Sequence, residues 1–375
     1  MMRPIDRRPK LAAIITEYRR RSHAEVIVTK LLDGYDLDGV TTRPSTDVAS
    51  MYVDQFPPGD LSRPFGAFFD VPILSSIHSA LTLDTDSLAV DGVIIVGEHG
   101  TYPVNERGQT LYPRRLFFEQ VVQTFRDTGR SVPVFCDKHL SWNWDDARWM
   151  VDTAARMGFP FMAGSSLPLT QRRPPLELPH DTPISEAFVV FHGPVEGYGF
   201  HALETLQCML ERRAGGETGV TRVQALRGGA VWAAAREGRW DRALLDRALA
   251  TADPPPVGVP DAVPEPTAFL VTYRDGTRAT ALLLPGCARS FSFAARIRGR
   301  HALVGSTFYL HNGEPFPHFG RLVHQIERFM TTGNVPYPIQ RTLLTTGVLA
   351  AVMESRYRGD IVIETPELDV TYAVA

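Results

Sequence analysis

The sequence predicts an α/β protein, with a doubly wound parallel sheet at its N-terminal end and an α+β domain with a large, mostly antiparallel sheet after it. Short β-branched runs alternate with amphipathic helical patterns up to residue 165, as in parallel strands joined by crossover helices. After residue 171 the apolar runs lengthen, and one contains Asp275-Gly276, a strong hairpin signal. The 375 residues also exceed the ~250–300 at which a single core stops growing. We expect two domains, 1–170 and 171–375, with the C-terminal helices free to pack back on the first.

Five apolar runs predict the strands of the parallel sheet, at 11–15, 48–53, 90–97, 131–136 and 160–165. Three helical patterns lie between these runs and end at Gly34, Gly129 and Gly158. Glycine is favoured directly after a helix because it adopts the left-handed conformation at little cost.

The second half predicts longer strands in AFVVFHG (187–193), AFLVTYRDGTRATALLL (268–284) and SFSFAARIRG (290–299). The proline-rich stretch 252–266 predicts an exposed loop. Near the end, 319–333 and 341–359 follow the 3.6-residue period of amphipathic helices.

Composition excludes several classes of partner. The 39 basic and 42 acidic residues nearly cancel, so we expect no nucleic-acid binding and no attraction to a membrane surface. The three cysteines share no CxxC spacing, which argues against a disulfide framework and a zinc knuckle. The apolar stretch after the basic N-terminus is too short for a signal peptide, and no run approaches the ~18 residues of a membrane span. We expect a cytoplasmic protein that acts on a small molecule.

Four segments carry a resemblance to a known family: His23-Ala24 after the first strand, Asp137-Lys138-His139 after the fourth, Gly197 to His201 in the second half, and the closing helices at 331–355. In that family a glycine-rich turn precedes a His-Ala pair, a strand ends in Glu-Lys-Pro, and a later helix follows Asp-x-Gly-x-His. Over nearly its whole length the chain resembles a divergent member of the glucose-fructose oxidoreductase/inositol dehydrogenase (Gfo/Idh/MocA) family, whose first domain is Rossmann-like.

The resemblance implies an NAD(P)-dependent dehydrogenase of sugars, cyclitols or related polyols. It implies that Lys138 and His201 handle the proton of the substrate hydroxyl, with Asp137 beside Lys138 in the same motif. It also implies a homo-oligomer.

The chain departs from the family at the cofactor turn. The three glycines of the family's turn fall on Ile15, Glu17 and Arg20. Glycine is needed there because backbone N–H groups approach the pyrophosphate closely. We therefore expect the standard NAD pose to be lost. Arg19 and Arg20, with Arg21, either bind a phosphate through charge-assisted hydrogen bonds or form a solvated surface.

Two further positions bear on a nucleotide and on redox chemistry. Asp54 follows the second strand, where an acidic residue binds the adenosine ribose, although a turn role explains it equally well. Gly197 stands where the family motif has an aspartate, so the carboxylate that would orient His201 is lost.

The carboxyl ends of the parallel strands predict a metal site. Glu98-His99 and Asp137 with His139 follow two of these strands, and together they are ligands that zinc, manganese or iron(II) accepts. Glu98 and His99 can both be ligands only if the chain turns there, which the flanking glycines favour. Histidines that hydrogen-bond sugar hydroxyls, or a structural histidine pair, are the alternatives.

Other polar side chains are candidates for substrate contacts. His23 follows the first strand, and Ser165, Ser166 and Arg172 belong to the GSSLPLTQRRP segment after the last one. These side chains could hold hydroxyls or a carboxylate, and Tyr198 could close over a ligand.

The sequence thus predicts an enzyme that acts on a hydroxylated, sugar-like or cyclitol-like molecule. Its chemistry would be non-redox (elimination, isomerisation or hydrolysis) and assisted by a divalent metal. One alternative is an NAD(P)-dependent sugar or polyol dehydrogenase whose cofactor is held by Glu17, Arg19, Arg20 and Asp54. Another is a non-catalytic protein that binds a metabolite.

Overall fold

The computed structural model describes residues 7–311 and 313–374, and the chain divides into two compact units. The first unit contains Met1–Pro103, Thr110–Ser166 and His311–Ile339. The second contains Val104–Gln109, Leu167–Leu310 and Gln340–Ala375.

In chain order, the strands of the described residues are β1 (Lys10–Glu17), β2 (Tyr35–Leu37), β3 (Val40–Thr42), β4 (Asp47–Gln55), β5 (Gly92–Val96), β6 (Val134–Asp137), β7 (Phe161–Gly164), β8 (Arg172–Arg173), β9 (Ile184–Phe191), β10 (Val220–Arg227), β11 (Thr267–Tyr273), β12 (Arg278–Leu283), β13 (Phe291–Ile297), β14 (Val304–Phe308) and β15 (Ile363–Glu364).

A π-helical turn at Glu25–Thr29 leads directly into the first α-helix. The α-helices are α1 (Lys30–Asp33), α2 (Ser62–Phe69), α3 (Ile77–Thr82), α4 (Arg114–Thr128), α5 (Trp144–Met157), α6 (Val195–Leu210), α7 (Gly229–Arg236), α8 (Arg242–Ala250), α9 (Phe319–Thr332) and α10 (Ile339–Tyr357).

The first unit contains the predicted parallel sheet, with strand order β4-β1-β5-β6-β7. Each of the five predicted apolar runs forms a strand, and β1 is buried from Leu11 to Glu17 because neighbouring strands and helices cover it. The strand order reverses between β1 and β5, since β4 lies on one side of β1 and the later strands on the other. In open α/β sheets such a switch point, at the carboxyl ends of the strands, is where ligands bind.

The helix ends of the first unit follow the predicted capping chemistry. At the start of α5 the Asn143 side chain accepts a hydrogen bond from the Asp146 N–H. Both α4 and α5 end at the predicted glycines, Gly129 and Gly158, in the left-handed conformation. Helices α2 and α3, between β4 and β5, were not predicted.

Helix α9 comes from the C-terminal part of the chain but belongs to the first unit. Its buried Glu327 carboxylate accepts hydrogen bonds from the backbone N–H groups of Ser45 and Thr46 and from the Tyr35 hydroxyl. These bonds tie α9 to the segment that leads into β4.

The second unit contains the predicted, mostly antiparallel sheet, in the order β15-β10-β11-β12-β9-β13-β14-β8. The Asp275-Gly276 hairpin joins β11 and β12, and only β12 and β9 pair in parallel among the described strands of this sheet. Trp240 and α8 pack against β9 and β13 in the core of this unit. Helix α6 begins at Val195, so the Gly197-to-His201 motif lies within the helix and not before it.

Among the described helices, none combines the length and the apolar character that crossing a bilayer requires.

Candidate functional site

Polar side chains of the first unit meet at the carboxyl edge of the parallel sheet. Glu17 ends β1, Glu98 follows β5, and Asp137 ends β6. All three carboxylates are buried. Because β1 and β5 flank the switch point, this cluster lies where the fold places a ligand.

His23 and Asp137 join the segments that follow β1 and end β6 through a short hydrogen bond. The His23 ring nitrogen Nδ1 lies 2.6 Å from Asp137 Oδ2. The Asp137 side chain is fully buried, and its other oxygen, Oδ1, has no hydrogen-bond partner among the described residues. A buried carboxylate that bonds Nδ1 fixes the orientation of an imidazole.

Lys138 and Glu98 form a buried ion pair next to it. Lys138 Nζ donates to Glu98 Oε1 at 2.6 Å, and Lys138 is 3% exposed. Arg114, 1% exposed, approaches the other carboxylate oxygen of Glu98 at 3.6 Å. Burial opposes ionisation of Glu98, but the charges of Lys138, then His23 and Arg114, outweigh it and hold the pKa of this carboxyl well below its usual range.

His139 contacts the Arg114 guanidinium, with 3.2 Å between His139 Nε2 and Arg114 Nη1. Burial, followed by the Arg114 charge, lowers the pKa of His139 well below its usual range. His139 is therefore neutral, and Nε2 accepts the hydrogen bond. A metal ion at this nitrogen would face the guanidinium charge, which disfavours the predicted role of His139 as a ligand.

His99 lies in the turn that the flanking glycines predicted. Its φ is +69° and that of Gly100 is +107°, and the chain bends at these two residues, directly after Glu98. His99 Nδ1 accepts a hydrogen bond of 3.4 Å from the His23 backbone N–H. Burial, followed by the His23 charge, lowers the pKa of His99 to about 3, so this ring is also neutral.

The residues that could hold a metal differ from the predicted set. Ligand atoms of His23, Glu98 and Asp137 lie within 4.8 Å of one another. Two of these residues were predicted as ligands, while His23 was predicted to contact substrate. Within the described part of the chain, neither His99 nor His139 belongs to this group.

The predicted cofactor residues already have partners within the chain. Arg19 pairs with Glu17, and Arg20 pairs with Glu314 at 2.6 Å. Both carboxylate oxygens of Asp54 accept hydrogen bonds from tyrosine hydroxyls, those of Tyr52 and Tyr102.

The remaining predicted residues divide between the two units. Ser165 and Ser166 follow β7 in the first unit and are buried. Arg172, Tyr198 and His201 lie in the second unit. His201 is buried on α6, with its ring 5.9 Å from that of Tyr198, while Arg172 pairs with Glu177 at 3.0 Å.

Sequence reasoning missed Arg114, Ser22 and Glu25. Arg114 begins an amphipathic helix, where arginine is ordinarily exposed, so no local signal marks it. Ser22 and Glu25 have the spacing of a helix capping box, S-x-x-E, and this pattern could have been recognised.

Comparisons with known proteins bear on the fold. No family model matches the sequence, and no curated protein matches it. Among solved structures, the chain is similar to GenD2 from gentamicin A biosynthesis in complex with NAD, with 14% identity, 97% of this chain and 99% of that chain covered, and a TM-score of 0.59.

Two further structures agree. An oxidoreductase from Agrobacterium radiobacter in complex with NAD+, L-tartaric acid and magnesium shares 14% identity, with 95% and 98% of the chains covered and a TM-score of 0.58. The scyllo-inositol dehydrogenase from Lactobacillus casei shares 11% identity, with 96% and 98% covered and a TM-score of 0.55. At these identities the likeness establishes the fold, and the chain has the fold of the Gfo/Idh/MocA-type dehydrogenases.

Proposed function

We propose that the protein is an enzyme that transfers a proton on a hydroxylated, sugar-like or cyclitol-like small molecule at the switch point of the parallel sheet. The observation that carries this proposal is the 2.6 Å bond between His23 Nδ1 and Asp137 Oδ2. A carboxylate that accepts from Nδ1 leaves Nε2 as the basic nitrogen, which is the arrangement of a general base. Nε2 of His23 makes no hydrogen bond within the described residues.

The neighbouring charges suit a substrate that develops negative charge on oxygen. Lys138 is held by its ion pair with Glu98, which has a carboxylate oxygen within 4.8 Å of ligand atoms of His23 and Asp137. A buried ammonium stabilises an alkoxide or enolate more strongly than a solvated one does, because little water screens it.

Buried polar atoms that lack a hydrogen bond favour hydroxyl groups on the substrate. Asp137 Oδ1 and Glu98 Oε2 are buried acceptors without a hydrogen-bond partner in the described residues, and Arg114 Nε and Nη2 are buried donors without one. A hydroxyl group satisfies both kinds of atom because it donates and accepts.

Solvent exchange tests the proposal. A panel of inositols, aldoses, ketoses and sugar acids is incubated with the protein in D2O, and NMR follows the exchange of carbon-bound protons. We expect exchange on at least one compound, and a loss of about 10²–10⁴-fold in the His23→Gln variant, the range of general-base catalysis. His78→Gln changes an exposed histidine and is the matched control. Equal exchange in His23→Gln, or none by the wild type, contradicts the proposal.

A second candidate is the same substrate class with a divalent metal as the catalyst, supported by the grouping of His23, Glu98 and Asp137. A bound zinc, manganese or iron(II) ion would polarise a substrate oxygen. The Lys138 ammonium would repel such an ion, so we expect the Lys138→Met variant to bind the metal more tightly than the wild type. Elemental analysis of the purified wild type and of the purified Lys138→Met variant tests this candidate. A metal content below 0.1 equivalent per chain in both proteins excludes it.

A further inference from the structure

In the turn after β1, backbone N–H groups already donate to acceptors of the same chain. In this fold a dinucleotide pyrophosphate is held by backbone N–H groups between the first strand and the first helix. Here the Ser22 hydroxyl accepts hydrogen bonds from the N–H groups of Arg19 and Glu25, both at 3.2 Å. The Glu25 carboxylate accepts from the N–H of Arg21.

Two more donors of the same turn are used. The Ser22 N–H donates to the Arg19 carbonyl oxygen at 3.1 Å, and the His23 N–H donates to His99 Nδ1. The N–H groups of residues 19, 21, 22, 23 and 25 therefore all have acceptors within the chain, so a phosphate would have to displace these contacts.

Carboxylates also pair with the arginines of this turn. Glu17 pairs with Arg19, and Glu314, from the segment before α9, pairs with both Arg20 (2.6 Å) and Arg21 (3.0 Å). Glu25 places a third negative charge at the helix N-terminus, where the helix dipole would otherwise favour an anionic ligand. The charges of the three arginines are thus cancelled by carboxylates of the same chain, and a pyrophosphate would meet no net positive charge in this turn.

We infer that this turn is closed to a dinucleotide by Ser22, Glu25 and Glu314, and that the reaction at the switch point is redox-neutral. The second part rests on the proposed function. One C–H bond of the substrate breaks, its electron pair stays on the substrate, and the proton passes to His23 Nε2. The same proton, or one from solvent, then returns to a neighbouring atom of the substrate, so no hydride acceptor is required.

Calorimetric titration of the full-length protein with NAD+ and with NADP+ is the first test. We expect no binding at millimolar nucleotide. One-to-one binding of either nucleotide below 100 μM overturns the inference. In that case deuterium exchange by the wild type would still uphold proton transfer, so the two proposals fail separately.

A double variant, Glu25→Ala/Glu314→Ala, tests whether these carboxylates close the turn. Pyrophosphate is the probe, and we expect it to bind the variant at least tenfold more tightly than the wild type, because the Arg21 N–H and two guanidiniums are released. Glu237→Ala/Glu265→Ala removes the same charge at exposed positions of the second unit and should leave pyrophosphate affinity unchanged. An unchanged affinity in a Glu25→Ala/Glu314→Ala protein that unfolds cooperatively overturns the inference.

Discussion

Replacement of Glu98 by glutamine should destabilise the first unit strongly. The carboxylate lies 2.6 Å from Lys138 Nζ and 3.6 Å from the Arg114 guanidinium, and these cations are 3% and 1% exposed. Removal of one partner of a buried ion pair costs roughly 3–5 kcal/mol, since the remaining charge stays buried without compensation. A neutral amide still accepts a hydrogen bond from Lys138, so we expect about 3 kcal/mol, the lower end of that range.

Urea unfolding followed by circular dichroism measures this loss. Glu119→Gln breaks an exposed pair with Arg115 and serves as the control, with an expected change below about 0.5 kcal/mol. The double variant Glu98→Gln/Lys138→Met removes the buried cation together with the carboxylate that pairs with it. Its free energy of unfolding should therefore be at least ~1 kcal/mol higher than the sum of the two single-variant effects predicts. If the free energy of unfolding of Glu98→Gln lies within about 0.5 kcal/mol of the wild-type value, other groups compensate the charges of Lys138 and Arg114, and the reasoning is refuted.

Three further predictions concern packing, pH and buried charge. A Cβ on Gly320 would lie 1.9 Å from a backbone oxygen, so Gly320→Ala should lower the free energy of unfolding by at least ~2 kcal/mol. Gly229 lies on a helix with open space around it, so Gly229→Ala should be neutral or slightly stabilising. Thermal unfolding of the two variants compares them. His99 is protonated near pH 6.5 in the unfolded chain but only near pH 3 in the folded chain. The free energy of unfolding should therefore fall as the pH drops from 6.5 to 3, by up to ~1.4 kcal/mol per pH unit. This part of the pH dependence should be absent in the His99→Gln variant. Glu211 pairs with Arg341 in the second unit, and both are buried, so Glu211→Gln should cost roughly 3 kcal/mol in urea unfolding; a change under about 1 kcal/mol would contradict this.

The fold follows from local patterns, whereas the site follows from long-range contacts. The runs that form β1 and β5 to β7 are apolar and β-branched, and Gly129 and Gly158 end their helices through short-range chemistry, so one sequence suffices to predict them. The partners of the site cannot be predicted in this way. Asp137 bonds His23 across 114 positions, and nothing in the local pattern selects His23 over His99. Arg114 is recognised as buried only once Glu98 and the turn after β5 lie against it.

The contribution of α9 to the first unit has a consequence for synthesis on the ribosome. Glu327 caps the backbone of Ser45 and Thr46, so the N-terminal segment lacks its final hydrogen-bond partner until about 280 residues later in the chain have emerged. The parallel sheet can form earlier, but until α9 is made the N–H groups of Ser45 and Thr46 lack their acceptor and the apolar surface that α9 covers stays exposed. A fragment ending near residue 170 should therefore bind chaperones and aggregate, and folding of the first unit should finish only after most of the second has been translated.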